Sequence, residues 1–237
     1  MRSRSRQKQA NRFIREQLAK EQRHRRNMII SIVAVVGVVA AGLIGFTVYQ
    51  AQKPPSYATP AHATADTTGI VVSAGKVPVD LYVDYLCPNC KNFEDSASSA
   101  LDQLVKDGKI RLVYRPIAIL DQNTNPSGYS TRAGSAAGCA ADGGKFLEYT
   151  KALYAQQPAE GGAGLTDDQL VQIGAGVGLI NPSFAQCVRA GRYASWMAHN
   201  TDAAAAHNVN GTPTVLVAGK QVTASPDAIK TAVTAAS

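Results

Sequence analysis

An α/β domain carried behind an N-terminal apolar span is the fold class this sequence predicts, on three observations. Residues 28–49 form a charge-free apolar run. Residues 69–120 pass from β-rich to helix-periodic and back to β-rich texture. After about 90 residues of helical texture, two β-rich runs and a last helical segment close the chain. A length of 237 residues suits one ordinary domain with extra segments, and an apolar share of 45% is enough for a core. The formal charge of +7 is unevenly spread: residues 1–27 hold ten Lys/Arg against two acids, which leaves the rest of the chain at −1. Such a distribution describes a basic tail and argues against a nucleic-acid-binding surface on the domain.

The basic tail, 1–27, runs directly into "MIISIVAVVGVVAAGLIGFTVY" at 28–49. As a helix these positions span about 33 Å, slightly more than a hydrocarbon core of about 30 Å, and they predict a transmembrane helix. Arginines crowd its N-terminal end and Lys53 alone stands close behind the other. This bias places the tail in the cytoplasm and the bulk of the chain outside, as a single-pass protein of the cell membrane. An Ala-x-Ala at Ala61–Ala63 raises the alternative of a cleaved signal, but it lies well beyond the apolar run. Gly37, Ala41 and Gly45 repeat every four residues, a helix-packing spacing that an Ala/Gly-rich span also produces by composition. Residues 50–68, with three prolines and many small polar residues, read as a flexible linker reaching about 60 Å when extended.

From residue 69 to 237 the elements follow in order. "GIVV" and "VPVDLYV" are short strands, the second ending just before Cys87. Phe93, Ala97, Leu101 and Leu104 mark one face of a helix that Gly108 stops, and "IRLVYRPIAIL" is the next strand. A helical insertion is expected at about 127–208. It contains the Ala-rich "GYSTRAGSAAGCAADG", a segment with Phe146, Tyr149 and Leu153 on one face, a capping box at Thr166 and Gln169, and a start at Asn181–Pro182. "TPTVLVAG" and "KQVTA" pair around Gly219, and Ser225 with Pro226 opens the last helix. No internal repeat and no phosphate-cradling glycine motif occurs.

The chemistry concentrates in "DYLCPNC", Asp84–Cys90. A strand followed by C-P-N-C at a helix start puts Cys87 where unpaired N–H groups and the helix dipole favour an anion, hence a thiolate. Pro88 fits the first helical position without losing a hydrogen bond. Cys90, one turn further in, is expected to be buried and slow to ionise. Cys87 is therefore the sulfur that meets substrate and Cys90 the one that resolves. A zinc site needs a second closely spaced pair of ligands, and Cys139 and Cys187 do not supply one, so no metal is expected. Outside the membrane leftover thiols oxidise, and pairing Cys87 with Cys90 leaves Cys139 with Cys187 as a structural disulfide. Two buried free thiols or a second redox pair are the alternatives.

On "DYLCPNC", "AAGCAADGGKFLEYTKALY" and "VNGTPTVLVAGKQV", residues 69–237 resemble the DsbA-like thiol-disulfide oxidoreductases. With the apolar span, the chain looks most like the tethered members of Gram-positive and actinobacterial envelopes. The resemblance implies a thioredoxin fold with a helical insertion. It also implies a cis-proline at Pro213 that faces the cysteines, with the Thr212 backbone offered to an extended substrate segment. Asn89 lies between the cysteines beside Pro88. One departure stands out: the strand position six before the first cysteine, where many thioredoxin-fold enzymes carry a buried acid, is Leu81. By strand alternation Asp84 is expected on the opposite face, which leaves the proton acceptor of Cys90 unassigned.

The function expected is that of a protein disulfide oxidoreductase of the thiol-oxidase type, introducing disulfides into reduced exported proteins without a bound cofactor. The resemblance implies reoxidation by a quinone-linked membrane protein of the DsbB or vitamin K epoxide reductase type. Reductase or isomerase action through the same cysteines, or an anchored binding module with an unreactive Cys87, are the competing readings. His199 and His207 read as solvated helix residues, and Trp196 and Met197 as core or groove.

Overall fold

The computed structural model describes Met28, residues 32–47 and residues 57–237. The chain divides between Ser56 and Tyr57 into two units. In the first, residues 32–47 are helical with exposed apolar side chains, among them Val38 and Ile44. Among the described residues no helix is long and apolar enough to cross a membrane. The expected span 28–49 extends past them at 29–31 and 48–49, and the tail 1–27 and linker residues 50–56 lie outside them.

The second unit is built on a five-stranded sheet of order β1-β3-β2-β4-β5: β1 Ile70–Val71, β2 Val77–Val83, β3 Ile110–Pro116, β4 Thr214–Val217 and β5 Lys220–Val222. β2 and β3 are parallel, joined through helix α1, Pro88–Lys106, and every other pairing is antiparallel. β2 is central and buried along most of its length, as its run of apolar residues requires. Phe93, Ala97, Leu101 and Leu104 are the buried stripe of α1, and Gly108 ends it with φ 64, a conformation that suits glycine. The β4–β5 turn places Ala218 at φ 49 and Gly219 at φ 76, the doubly left-handed turn that matches strand twist.

Between β3 and β4 lie a short 3-10 turn, Asp121–Asn123, and five α-helices: α2 Tyr129–Asp142, α3 Phe146–Ala155, α4 Asp167–Gly176, α5 Pro182–Arg189 and α6 Ala194–Ala206. The helix α7, Pro226–Ala235, closes the chain and packs beside α1 on the sheet. The local start signals act as the sequence predicts: Thr166 and Gln169 form a reciprocal capping box, and Asn181 and Ser225 cap α5 and α7. α2 is buried almost all round, which explains its small side chains. A Cβ on Gly134 would fall 2.3 Å from the Met197 terminal methyl, and one on Gly138 would fall 2.8 Å from the Tyr193 ring. α6 therefore rests against α2 at close range, and Trp196 and Met197 are fully buried core residues. On the other face of the sheet Tyr82 and Leu216 pack with Ala204 and Val209.

Residues 57–68 differ from the linker expected for them. They belong to the folded unit: Ala63 bridges Ile70, the Ala61 N–H donates to Asp142 Oδ1 at 2.9 Å, and Trp196 Nε1–H donates to the Thr67 carbonyl. Asp66 pairs with Arg115 at 3.1 Å, and Arg115 also donates to Asp80 at 2.7 Å. Small polar residues that read as linker here cover the β1 edge. His199 likewise is not a freely solvated residue, since it is half-buried and stacked on Tyr57 with ring centroids 4.6 Å apart.

Candidate active site

β2 ends at Val83, and four residues later Cys87 caps α1 with φ −70 and ψ 118, followed by Pro88 in the first turn. The Cys87 carbonyl accepts from the Cys90 N–H at 3.1 Å and the Lys91 N–H at 3.2 Å, so the helix begins on the redox motif itself. Cys87 and Cys90 are both unpaired, the dithiol form, and both are buried, whereas Pro88 and Asn89 are exposed. The Cys87 thiol is lowered from its ordinary value to about 6. The Cys90 thiol beside it contributes most, followed by the Thr212 hydroxyl and the N–H groups of Cys90 and Asn89, all working against burial. The Cys90 thiol is pushed far above its ordinary value, first by burial and then by donating to Cys87.

Across the 125 residues that separate them in sequence, the Cys87 Sγ–H donates to the Thr212 carbonyl at 3.3 Å. The Thr212–Pro213 peptide is cis, as the resemblance implies, and a second cis bond precedes Pro126, which the sequence did not signal. The buried Thr212 hydroxyl has no hydrogen-bond partner, and it lies near enough to both sulfurs to favour their anions. A groove of about 440 Å³ runs alongside, lined by Asn89, Asn92, Phe93, Ser96, Pro213 and Thr223. Helix start and cis-Pro loop therefore meet at the Cys87 sulfur, and residues of both line the groove.

Leu81 is buried in the core, so no acid occupies that strand position. Strand pairing stops at Val83, and Asp84, the next residue, is completely buried. There Oδ1 accepts from the Leu86 N–H at 2.9 Å and from Ser130 Oγ at 2.6 Å, and Oδ2 accepts from the Leu120 N–H at 2.9 Å. Burial raises this carboxyl to about 6 despite those donors, with the nearby Cys87 charge adding in the same direction. Glu94, which the sequence reading passed over, is also buried, one helical turn beyond Cys90. Its Oε2 accepts from Tyr114 Oη at 3.3 Å, its Oε1 has no partner, and burial raises its carboxyl. Its spacing of four from Cys90, beside Phe93 on the apolar stripe, was the available signal.

The insertion reaches the site from α3. Lys91 Nζ donates to the Tyr154 carbonyl at 2.7 Å, and the buried Tyr85 and Tyr154 rings lie 5.4 Å apart. Cys139 on α2 and Cys187 on α5 form a disulfide with Cα atoms 5.9 Å apart, well removed in sequence from the redox motif. The structure thus brings Cys87, Pro88, Asn89, Cys90, Thr212 and Pro213 together and holds Cys139 with Cys187 inside the insertion.

Residues 68–235 match the family model described as Thioredoxin. Among solved structures, the reduced disulfide bond oxidoreductase DsbG of Mycobacterium tuberculosis is 30% identical, with 73% of this chain and 85% of that chain covered and a TM-score of 0.60. The oxidised DsbA of the same organism is also 30% identical, covering 74% of this chain and 97% of that one with a TM-score of 0.58. BdbD of Bacillus subtilis, at 21% identity, 76% and 98% coverage and a TM-score of 0.61, shares the fold. A stretch of 159 residues, 62% of this chain, is 30% identical to the serine/threonine-protein kinase PknE of Mycobacterium tuberculosis, of which it spans only 28%. By motif, geometry and family match together, the chain belongs to the thioredoxin family, with the DsbA-like form of that fold.

Proposed function

We propose that this chain is a membrane-anchored, extracytoplasmic thiol-disulfide oxidoreductase that introduces disulfide bonds into exported proteins, with Cys87 exchanging and Cys90 resolving. The observation that carries the proposal is the asymmetry of the two thiols. Cys87 ionises near 6 at a helix start, while Cys90 stays protonated behind it. The disulfide bond oxidoreductase activity named for the mycobacterial DsbG supports the same reading.

In the oxidised enzyme a substrate thiolate attacks the Cys87 sulfur. The Cys87–Cys90 bond breaks, its electron pair passes to Cys90, and Cys90 takes up a proton. A second substrate thiolate then attacks the substrate sulfur of the mixed disulfide and expels Cys87 as thiolate. A sulfur stabilised as an anion leaves readily, so the environment that lowers Cys87 favours delivery of the disulfide. Pro88 and Asn89 shape the helix start, and the Thr212–Pro213 backbone offers an extended substrate segment a short strand-like pairing. Two electrons remain on the enzyme after each turnover, and a quinone-linked membrane protein of the DsbB or vitamin K epoxide reductase type is the proposed acceptor. Residues 28–49 are the proposed anchor, and the Cys139–Cys187 bridge is proposed to be structural.

The test is equilibration of the Cys87–Cys90 pair with glutathione. A potential between about −180 and −120 mV is expected, the range of protein disulfide isomerase and strong oxidants. A value near −270 mV would make the chain a reductant and remove the oxidase assignment.

A further inference from the structure

Gln157 stands two residues past the end of α3, and Pro158, which follows it, cannot extend the helix. Its side chain turns away from its own helix towards the redox turn. Nε2 lies 2.9 Å from the Tyr85 carbonyl and 3.0 Å from the Cys87 carbonyl. Both partners only accept, so the amide orientation follows from the chemistry and both amide hydrogens are used. The two carbonyls belong to the peptide groups on either side of the Leu86–Cys87 unit. The peptide after Cys87 has no N–H of its own, because its nitrogen is that of Pro88, so its carbonyl is the one handle by which it can be held. That carbonyl is also the first acceptor of α1.

The same end of α3 grips the motif at two further points. Lys91 Nζ bonds the Tyr154 carbonyl at 2.7 Å, and the Tyr154 hydroxyl reaches the Asp84 carbonyl at 3.4 Å. The loop that carries Gln157 is itself held, with the Gly161 N–H donating to the Asn123 carbonyl at 2.7 Å and the Asn125 N–H to the Gly162 carbonyl at 2.9 Å.

We infer that Gln157 is a positioning residue for exchange at Cys87: delivered from the helical insertion, its amide locks the peptide groups on either side of the Leu86–Cys87 unit so that the sulfur stays beside the N–H groups of the helix start. It touches neither sulfur nor substrate and acts through the backbone. The inference rests on Cys87 being the exchanging thiol. If that reading fails, the unsubstituted protein itself lacks an acidic thiolate, an outcome separate from any effect at Gln157.

Two substitutions in the full chain test it. Gln157→Met keeps length and bulk without a donor, and Gln157→Glu keeps shape while presenting an acceptor to two carbonyls. The readouts are the thiolate absorbance of Cys87 against pH, kcat and KM for oxidation of a reduced dithiol peptide, and thermal unfolding of the oxidised form. For the Met variant the Cys87 titration is expected to move up by about one pH unit and kcat to fall about tenfold, with KM little changed. The Glu variant moves further in the same direction, and oxidised forms of both unfold within a few degrees of the parent. A folded Met variant with the parent titration and kcat overturns the inference. A Met variant that loses its fold, or loses stability while the titration stays put, also overturns it, because Gln157 would then be a structural bond alone.

Discussion

The Cys87 thiol donates to the Thr212 carbonyl at 3.3 Å, while the hydroxyl of the same threonine acts on Cys87 in the opposite sense, favouring the anion. One residue therefore steadies both protonation states: its carbonyl accepts from the thiol, and its hydroxyl supports the thiolate. Thr212→Val keeps the shape and the carbonyl but removes the hydroxyl. The Cys87 titration is expected to rise and its alkylation by iodoacetamide at pH 6 to slow about threefold to tenfold. In the unsubstituted dithiol form, labelling of Cys87 is expected to reach half its maximal rate near pH 6. Cys90 should remain unlabelled across the neutral range. Labelling of Cys87 that follows an ordinary thiol, near 8.5, would show that the helix start does not hold an anion.

Stability should depend on redox state in a way that pH reveals. In the dithiol form the folded protein holds Cys87 near 6, below the value of an unfolded thiol, so it binds fewer protons than the unfolded chain between those limits. This contribution is fully present above the unfolded thiol's pKa and is lost as pH falls through 6. Allowing for solvent screening, it amounts to about 1 kcal/mol at pH 7 and grows towards pH 8. The oxidised form has no titrating Cys87. Denaturant unfolding of the two forms should therefore show the stability of the reduced protein, measured relative to the oxidised one, rising from pH 6 to about pH 8, above which Cys90, held protonated in the folded protein, acts in the opposite direction. A constant difference across that window would contradict the placement of the charge.

Much of this site was legible because its signals are local. Pro88 beside Cys87, the Thr166–Gln169 box and the Asn181 and Ser225 caps each use residues within four positions of one another, so spacing alone finds them. The parts missed depend on partners far along the chain. Residues 57–68 look like a linker because Arg115 and Trp196, which hold them, lie far from them in sequence. Gln157 reads as an unremarkable polar residue near a proline until the fold sets it against the Tyr85 and Cys87 carbonyls. Asp84 shows the limit of a periodicity rule: alternation describes β2 only through Val83, and the buried carboxylate one residue later is held by Leu120 and Ser130, partners far along the chain.

Asp84 gives a pH-dependent prediction of the opposite sign. Its carboxyl is raised to about 6 in the folded protein, so between about 4 and 6 the folded state holds a proton that the unfolded chain releases. The stabilising contribution is fully present below about pH 4 and is lost as pH rises through 6, about 3 kcal/mol in all. Asp84→Asn removes the titration, but its NH₂ must face either the Leu120 N–H or the Leu86 N–H, a mismatch costing about 1–3 kcal/mol. Measured on oxidised protein, where Cys87 does not titrate, the parent should exceed the variant in stability at pH 4 and lose that advantage by pH 7. A gap that stays constant with pH would mean that burial does not raise this carboxyl.

The Cys139–Cys187 bridge closes a loop with a sequence separation of 48 between α2 and α5. On the chain-entropy model such a loop stabilises the folded state by about 4 kcal/mol, before any strain is subtracted. Cys139 is buried, and a sulfur with that little access attacks and leaves slowly in exchange. Replacing both residues with serine should therefore lower the melting temperature by about 10 °C. Oxidation of a reduced dithiol peptide, assayed below that transition, should keep most of its rate, because the bonds that hold Cys87 come from α1, α3 and the cis-Pro loop. A double-serine variant that melts as the parent does would remove the stabilising role. One that folds normally but cannot turn over would show that the second pair passes electrons, and the bridge would then belong to the chemistry rather than to the scaffold.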